Sequence, residues 1–293
     1  MTVWLKDLFT DGCLVCPCVT TPLQVLTAAE SGIRCVEVGG YAAGATLAVS
    51  EPLVGLEEFA LLTRWMARVA PEVAIVVDGG AGYGEALHTF HTVREIEAAG
   101  ASAIHLEDQF FPKRAHYHKG VEEIIDTEEM VDKIAAAVAA RRDPNFTIIG
   151  RTDAARMKPF DEAIARANAY VEAGADMILL FPNTIEEARR AAEEIPVALM
   201  YVNSVGNKFG RPVLTLDQLN DLGYAIGVDA IGPTIDVYVH QRAYFDTLLK
   251  EGRGHIKDVT ERRLELESVI KLHDLYGMEE RTTYRRTHSE PSS

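Results

Sequence analysis

The fold is decided by residues 73–108, which read VAIVVDGGAGYGEALHTFHTVREIEAAGASAIHLED. An apolar run at 73–77 ends in Asp78, a helix-like stretch follows at 85–99, and a second apolar run at 103–106 ends in Glu107. Two strands joined through a helix favour parallel pairing, because the helix carries the chain back to the end at which the first strand began. Both predicted strands therefore place an acidic residue at their carboxyl end.

The same unit repeats along the chain. The predicted strands are 14–19, 35–38, 73–77, 103–106, 146–150, 177–181, 197–202 and 225–228, and helix-like stretches lie between them. Eight strands alternating with helices predict an α/β fold, a (β/α)8 TIM barrel over residues 1–258. Residues 39–55 are rich in glycine and alanine without a clear period, and we interpret them as a functional loop. Polar residues follow the strands at the rim where such barrels build active sites.

Residues 259–293 differ from the repeating part and are predicted to form a helical arm with a polar tail. Residues 259–276 have the spacing of an amphipathic helix, with Leu264, Val269 and Leu272 among its apolar positions. A helix beyond a complete barrel must bury this face. We expect it to pack on a neighbouring subunit, although it could also fold back on its own barrel.

Composition limits the function classes. The chain has 293 residues, 47% of them hydrophobic, and a formal net charge of −15. An acidic protein is a poor match for nucleic acid or an anionic membrane, since both attract basic surfaces. We see no secretory signal and no run long enough to span a bilayer, and expect a cytoplasmic protein. The four cysteines, all within 13–35, are interpreted as reduced buried thiols rather than a zinc site.

Acidic residues at two neighbouring strand ends predict a metal site. Asp78 leads a glycine-rich turn, and an acid at this place can hold a hard divalent cation. Glu107 ends the next strand, and His105 lies on the same strand face because side chains alternate with a period of two. We therefore expect Mg²⁺ or Mn²⁺ at Asp78, His105 and Glu107.

Residues 109–126 form a long predicted loop with the densest polar cluster of the chain. Lys113 and Arg114 suit a carboxylate or phosphate, and His116 and His118 titrate near neutral pH. The loop leaves the barrel at the strand end that carries Glu107, so acid–base work is favoured over a transition-metal site. Elsewhere on the rim, Arg151 is the candidate for a bidentate carboxylate clamp, and Asn203 can hydrogen-bond a substrate.

The ordered motifs resemble the isocitrate lyase and phosphoenolpyruvate mutase superfamily over residues 15–250. VDGGAGYG at 77–84, AIHLEDQ at 103–109, PKRAHYH at 112–118, GRTDA at 150–154 and NSVG at 203–206 match its motifs in order. The resemblance implies an enolate intermediate stabilised by Mg²⁺, and a homotetramer, a dimer of dimers, that exchanges C-terminal helices. It implies roles for Lys113, Arg151 and Glu107, and a backbone oxyanion site at Gly39 and Gly40. From the resemblance together with the rim residues, we predict catalytic roles for Lys113, His116, His118, Arg151 and Glu107, and substrate binding by Gly39, Gly40, Tyr41, Asn203, Arg114 and Arg151. The metal falls to Asp78, with His105 and Glu107 around its waters.

The sequence departs from this pattern at four positions. The lyases' loop cysteine, a general acid, falls on Ala115, and their second metal-motif acid falls on Gly80. Two further acids fall on Leu53 and Asn183. A loop histidine could replace the cysteine, and no spacing argument chooses between the two.

We therefore predict a carbon–carbon lyase that acts on a small 2-hydroxy or 2-oxo di- or tricarboxylic acid, by retro-aldol cleavage or by decarboxylation. One alternative is a C–P bond enzyme of the phosphonopyruvate hydrolase or phosphoenolpyruvate mutase type, because the mutase also lacks the loop cysteine. The other is a non-catalytic barrel that binds a carboxylate.

Overall fold

The computed structural model describes residues 3–9, 12–115, 119, 123–206 and 210–288. Within them, eight parallel strands form the predicted barrel. The strands are β1 Leu14–Pro17, β2 Cys35–Val38, β3 Ala74–Asp78, β4 Ala103–Glu107, β5 Thr147–Thr152, β6 Met177–Leu180, β7 Ala198–Val202 and β8 Ile226–Asp229. β1 pairs with β8, and a parallel bridge between Cys18 and Glu37 joins the segment after β1 to β2. The (β/α)8 prediction is confirmed.

Helices connect the strands and continue beyond them. They are α1 Pro22–Glu30, α2 Gly40–Thr46, α3 Leu56–Val69, α4 Ala86–Ala98, α5 Thr127–Ala140, α6 Phe160–Glu172, α7 Ile185–Glu194, α8 Leu216–Leu222, α9 Gly232–Glu251, α10 Val259–Val269 and α11 Leu272–His288. α3 shows why these segments are helical. Its buried residues Phe59, Leu62, Thr63 and Met66 recur at three- and four-residue intervals and line one face.

Alternation along the strands separates the core into two layers. One cluster includes Val77, Ile104 and Ile148, which pack between the strands and the surrounding helices. The other includes Val76 and Ile149 and fills the barrel interior. Because side chains alternate, the residues that continue the interior series at the carboxyl ends of the strands all point into the mouth of the barrel. These residues are Glu37, Asp78, His105, Glu107 and Arg151.

The opposite end of the barrel is closed by the N-terminal segment. A short 3₁₀ turn at Leu5–Leu8 places both leucines in the interior cluster. Lys6 forms a salt bridge with Asp176 of 2.9 Å, and Asp176 directly precedes β6. The amino-terminal end of the barrel is thus plugged, and the carboxyl-terminal rim is left for a site.

Two sequence predictions of local structure were wrong. Residues 39–55 are not a plain loop, because α2 and a 3₁₀ turn at Glu51–Leu53 lie within them. The small side chains of Ala42 and Ala43 are buried there, which removes the helical period that a sequence search detects. The single helix predicted at 259–276 is two helices, since Lys271 adopts a left-handed φ of 57° between α10 and α11.

The chain divides into two compact units, Met1–Val237 and Tyr238–Ser293, so the division falls within α9. The first unit contains the whole barrel. The second consists of the rest of α9 with α10 and α11. Across the described residues, we find no helix with the length and apolarity required to cross a membrane.

The four cysteines are free and buried, as predicted. Burial raises the pKa of the Cys16 and Cys18 thiols well above their ordinary value, and that of Cys13 to about 11. These thiols are therefore protonated at neutral pH and are part of the packing.

Candidate active site

Acidic residues and one histidine from β2, β3 and β4 meet on one half of the rim. His105 Nε2 lies 2.9 Å from Glu37 Oε1, and His105 Nδ1 lies 3.6 Å from Asp78 Oδ1. Asp78 also accepts hydrogen bonds from the backbone N–H groups of Gly40, at 3.1 Å, and Gly80, at 2.8 Å. The imidazole thus lies between two carboxylates in the barrel mouth.

The charges of this cluster stabilise one another. Burial by itself raises the pKa of Asp78, but the positive charges of His105, Lys113 and Arg151 outweigh it and hold that pKa well below its ordinary value. Burial lowers the pKa of His105, and the carboxylates of Asp78 and Glu37 outweigh this effect, so the pKa is raised. Because both ring nitrogens of His105 face carboxylates, the imidazole is placed to orient Asp78.

Glu51 joins this cluster from the turn after α2. A Cβ added to Gly40 would lie 2.8 Å from Glu51 Oε1 and 2.9 Å from Asp78 Oδ2. Glycine at position 40 therefore allows two carboxylates to approach its backbone. The family's acid of this loop was expected to be lost because its position falls on Leu53. That residue is 75% exposed, whereas Glu51, two residues earlier, lines the cavity.

Glu107 and Lys113 connect the acidic half to the other half of the rim. The fully buried Glu107 accepts from Arg151 Nη1 at 3.0 Å and lies 3.1 Å from Lys113 Nζ. Lys113 also contacts Glu51. The predicted loop thus brings the ammonium group of Lys113 to the rim, where it lies between two acids.

Arginines surround Phe181 on the other half of the rim. Arg151, at the end of β5, lies with its Cζ 5.0 Å from the ring centroid, and its Nη2 is 3.1 Å from Asp153 Oδ2. The Cζ atoms of Arg156 and Arg211 lie 3.9 Å and 4.8 Å from the same centroid. Glu107 and Asp153 therefore fix the orientation of Arg151 before any ligand arrives.

These residues enclose a cavity of about 240 Å³ at the barrel mouth. Of the predicted site residues, the lining includes Gly39, Gly40, Tyr41, Asp78, His105 and Arg151. Glu107 lies behind Arg151, and Lys113 lines a smaller neighbouring cleft together with Gly40, Glu51 and Asp78. The barrel has therefore brought most of the predicted residues together.

Among the described residues, Arg114 and Asn203 are predicted site residues that do not line the cavity. Arg114 is 63% exposed in its side chain and pairs with Glu123. The Asn203 amide donates to Leu214 O and accepts from Leu214 N–H, both at 2.7 Å, so it fixes the following loop. His116 and His118 lie outside the described residues.

Sequence reasoning missed Glu37, Glu51, Arg156, Phe181 and Arg211. Glu37 had a detectable signal, because it is the charged residue of the otherwise apolar strand 35–38, two residues beyond the inward-facing Cys35. The other four reach the cavity from strand ends and loops, and the periodicity of apolar residues does not predict the path of such segments.

The oxygen donors on the acidic half of the rim suit Mg²⁺. Among the described residues, no three His, Cys, Asp or Glu side chains have the spacing to hold a metal by themselves. Mg²⁺ retains several waters and is bound through one or two carboxylates, so it requires fewer protein ligands. Asp78 and Glu51 offer hard oxygen donors at the cavity, and the buried Glu37 Oε2 has no hydrogen-bond partner among the described residues. This oxygen-rich half of the rim fits a hydrated Mg²⁺.

Comparison with known proteins identifies the family. Residues 5–231 match the model of the phosphoenolpyruvate phosphomutase family, and the chain belongs to that family, within the isocitrate lyase and phosphoenolpyruvate mutase superfamily that its motifs predicted. It is 37% identical to 2-methylisocitrate lyase of Aeropyrum pernix, over 89% of this chain and 84% of that protein. It is also 37% identical to 2,3-dimethylmalate lyase of Eubacterium barkeri, over 82% and 81% of the two chains.

A solved structure agrees with this assignment. Oxaloacetate acetylhydrolase in complex with the inhibitor 3,3-difluorooxalacetate superimposes with a TM-score of 0.86 and 25% identity, over 95% of this chain and 96% of that one. The predicted class, a carbon–carbon lyase of this superfamily, is confirmed. It fits these relatives better than C–P chemistry or a non-catalytic barrel.

Proposed function

We propose that this protein is a cytoplasmic, Mg²⁺-dependent lyase that cleaves a C–C bond in a small 2-hydroxy or 2-oxo di- or tricarboxylic acid. The observation that carries the proposal is the placement of Arg151 on the same small cavity as Asp78 and His105. An oriented guanidinium binds a carboxylate, and the acids across the cavity suit a cation. The similarity to lyases named for 2-methylisocitrate and 2,3-dimethylmalate supports this substrate class.

The chemistry assigns a task to each part of the rim. In retro-aldol cleavage the hydroxyl group of the substrate loses its proton and becomes a carbonyl as the C–C bond breaks, and in decarboxylation a carboxylate leaves as CO₂. In both cases the electron pair of the broken bond stays on the other fragment as an enolate, which is then protonated. Arg151 binds the substrate carboxylate and reduces the repulsion between it and the developing negative charge. Lys113, held by Glu107 and Glu51, adds a second positive charge where the loop meets the rim.

The proton donor is proposed to come from the loop at residues 109–120. The lyases' cysteine is replaced by Ala115, and His116 follows it directly, with His118 two residues further. A histidine has a reference pKa of about 6.5 and can donate a proton at neutral pH. We propose that one of these two histidines takes the place of the cysteine.

The cation is proposed to bind at Asp78, with Glu51 and Glu37 as further oxygen donors. A bound Mg²⁺ would act as a Lewis acid that polarises a substrate oxygen. The contacts of His105 favour a positioning role, since its imidazole is held between Glu37 and Asp78 and orients the latter. Gly40 N–H donates to Asp78 and so positions the same carboxylate.

The assembly is proposed to be a homotetramer joined through the C-terminal arm. The side chains of Leu264, Leu266, Ile270 and Leu275 are each between 43% and 52% exposed. Apolar side chains exposed along one segment favour burial against another copy of the chain.

The function is tested with a panel of 2-hydroxy and 2-oxo mono-, di- and tricarboxylic acids, with Mg²⁺ or with excess EDTA, followed by product detection. We expect at least one di- or tricarboxylate to be split into two products, or to lose CO₂. EDTA should remove this activity and added Mg²⁺ should restore it. Preferential turnover of phosphonopyruvate, or no turnover of any acid in the panel, would contradict the proposal.

Arg151→Lys is expected to raise KM about tenfold or more. Lysine keeps the positive charge but loses the forked geometry that binds a carboxylate through two parallel hydrogen bonds, and hydrogen bonds to charged groups contribute about 1.5–3 kcal/mol. The measurement is steady-state kinetics on the acid identified by the panel. Arg190→Lys is the matched control, because Arg190 also pairs with two acids but lies on the exposed face of α7. An unchanged KM in Arg151→Lys would exclude this role.

A further inference from the structure

Two arginines at the cavity remain outside the tasks assigned above. Arg156 ends the 3₁₀ turn Ala154–Arg156 that follows β5, and Arg211 lies in the segment that follows β7. Both line the cavity, and both are largely buried, with 12% of the Arg156 side chain and 9% of Arg211 exposed. Guanidinium groups are costly to bury, so two of them at one cavity wall indicate a site for negative charge.

Phe181 fixes where these charges lie. Its ring is contacted by Arg156 and Arg211 and also by Arg151, with Cζ-to-centroid distances of 3.9–5.0 Å. An aromatic face attracts guanidinium groups without neutralising their charge. The three arginines therefore form one basic wall that faces the cavity.

The acids lie on the half of the rim that faces the three arginines. Glu37, Glu51 and Asp78 line the cavity from β2, from the turn after α2 and from β3. A ligand bound between the two walls meets oxygen donors suited to a cation at one end and guanidinium groups at the other. With a volume of about 240 Å³, the cavity holds a small molecule in contact with both walls.

We propose that Arg156 and Arg211 form a second anion subsite, which binds the distal carboxylate of the substrate. Arg151 then binds the carboxylate next to the reacting carbon, and the second subsite selects dicarboxylates and tricarboxylates over monocarboxylates. This inference rests on the proposed function, because it concerns the substrate of the same site.

The test compares ligands that differ in the distal group. Binding of malate and of 2-hydroxybutanoate is measured by calorimetry in the presence of Mg²⁺, for the wild type and for Arg156→Gln and Arg211→Gln. We expect the wild type to bind malate at least about tenfold more tightly than 2-hydroxybutanoate. Each variant should lose about tenfold in affinity for malate and less than about twofold for 2-hydroxybutanoate.

Arg190→Gln is the matched control. The Cζ atom of Arg190 lies 5.6 Å from the centroid of the Phe160 ring, but Arg190 does not line the cavity. It should leave both affinities unchanged. Equal loss for both ligands in the cavity variants would overturn the subsite and assign the arginines to the framework of the site.

If a variant does not fold, the two ligand affinities of the wild-type protein still test the inference. Equal affinity of the wild type for malate and 2-hydroxybutanoate overturns the second subsite and leaves the lyase function standing. Failure of the wild type to bind or cleave any acid of the panel overturns the proposed function and the subsite with it.

Discussion

Asp78→Asn is expected to lower kcat/KM by about 10³-fold or more, which corresponds to roughly 4 kcal/mol of transition-state stabilisation. The substitution keeps the size of the side chain and removes its charge. Asp78 lines the cavity and lies beside His105, so its loss removes the proposed cation ligand and one of the two carboxylate partners of the imidazole. Steady-state kinetics on the acid identified by the panel measure the effect.

A second measurement separates a role in cation binding from a role in folding. Calorimetric titration with Mg²⁺ should show binding to the wild type and much weaker binding to Asp78→Asn. The thermal midpoint Tm should fall by only a few degrees, because the asparagine oxygen still accepts from one of the two N–H donors, at Gly40 or Gly80, and only the other loses its acceptor. Asp161→Asn, with an 81% exposed side chain, is the control and should retain activity. Full activity or unchanged Mg²⁺ binding in Asp78→Asn would rule out the assigned role.

The strand-borne half of this site could be predicted from sequence. Asp78, His105, Glu107 and Arg151 each lie at or near the carboxyl end of an apolar run, and parallel strands bring those ends to one rim. The alternation of side chains then decides which of them point inward. These two rules do not depend on how the helices pack. The positions predicted for these four residues from the sequence therefore agree with the barrel.

The loop-borne residues could not be predicted in the same way. Glu51 enters the cavity because α2 and the following turn carry it back over Gly40, whereas a motif alignment pointed to Leu53. Arg156 and Arg211 both contact Phe181, although 55 positions of sequence separate them. Such approaches depend on tertiary packing, which no local period records. The same reason explains Asn203, a polar rim residue that fixes a loop rather than facing the cavity.

Asp108→Ala is expected to destabilise the fold by about 3–5 kcal/mol. Asp108 directly follows Glu107, so it points away from the barrel interior and toward the helices. It is fully buried, and its Oδ2 accepts from Thr152 Oγ1 at 2.7 Å and from Tyr170 OH at 2.9 Å. Its Oδ1 accepts from Asp153 N–H at 2.9 Å, and Arg166 Nη1 lies 3.4 Å from Oδ2. Alanine would leave these buried donors without their acceptor. The measurement is the urea denaturation midpoint at neutral pH.

Graded variants distinguish this network from a general effect of substitution. Tyr170→Phe removes one donor and leaves the acceptor with its other partners, so it should cost about 1 kcal/mol. Asp161→Ala breaks an exposed pair and should cost less than about 1 kcal/mol. Because Asp108 binds the backbone N–H of Asp153, and Asp153 orients Arg151, Asp108→Ala should also raise KM in the protein that remains folded. A midpoint no lower than that of Tyr170→Phe would show that the network does not stabilise the fold. Asp108, which holds the backbone of Asp153 and through it the orientation of Arg151, is thus expected to stabilise the β4–β5 region as well.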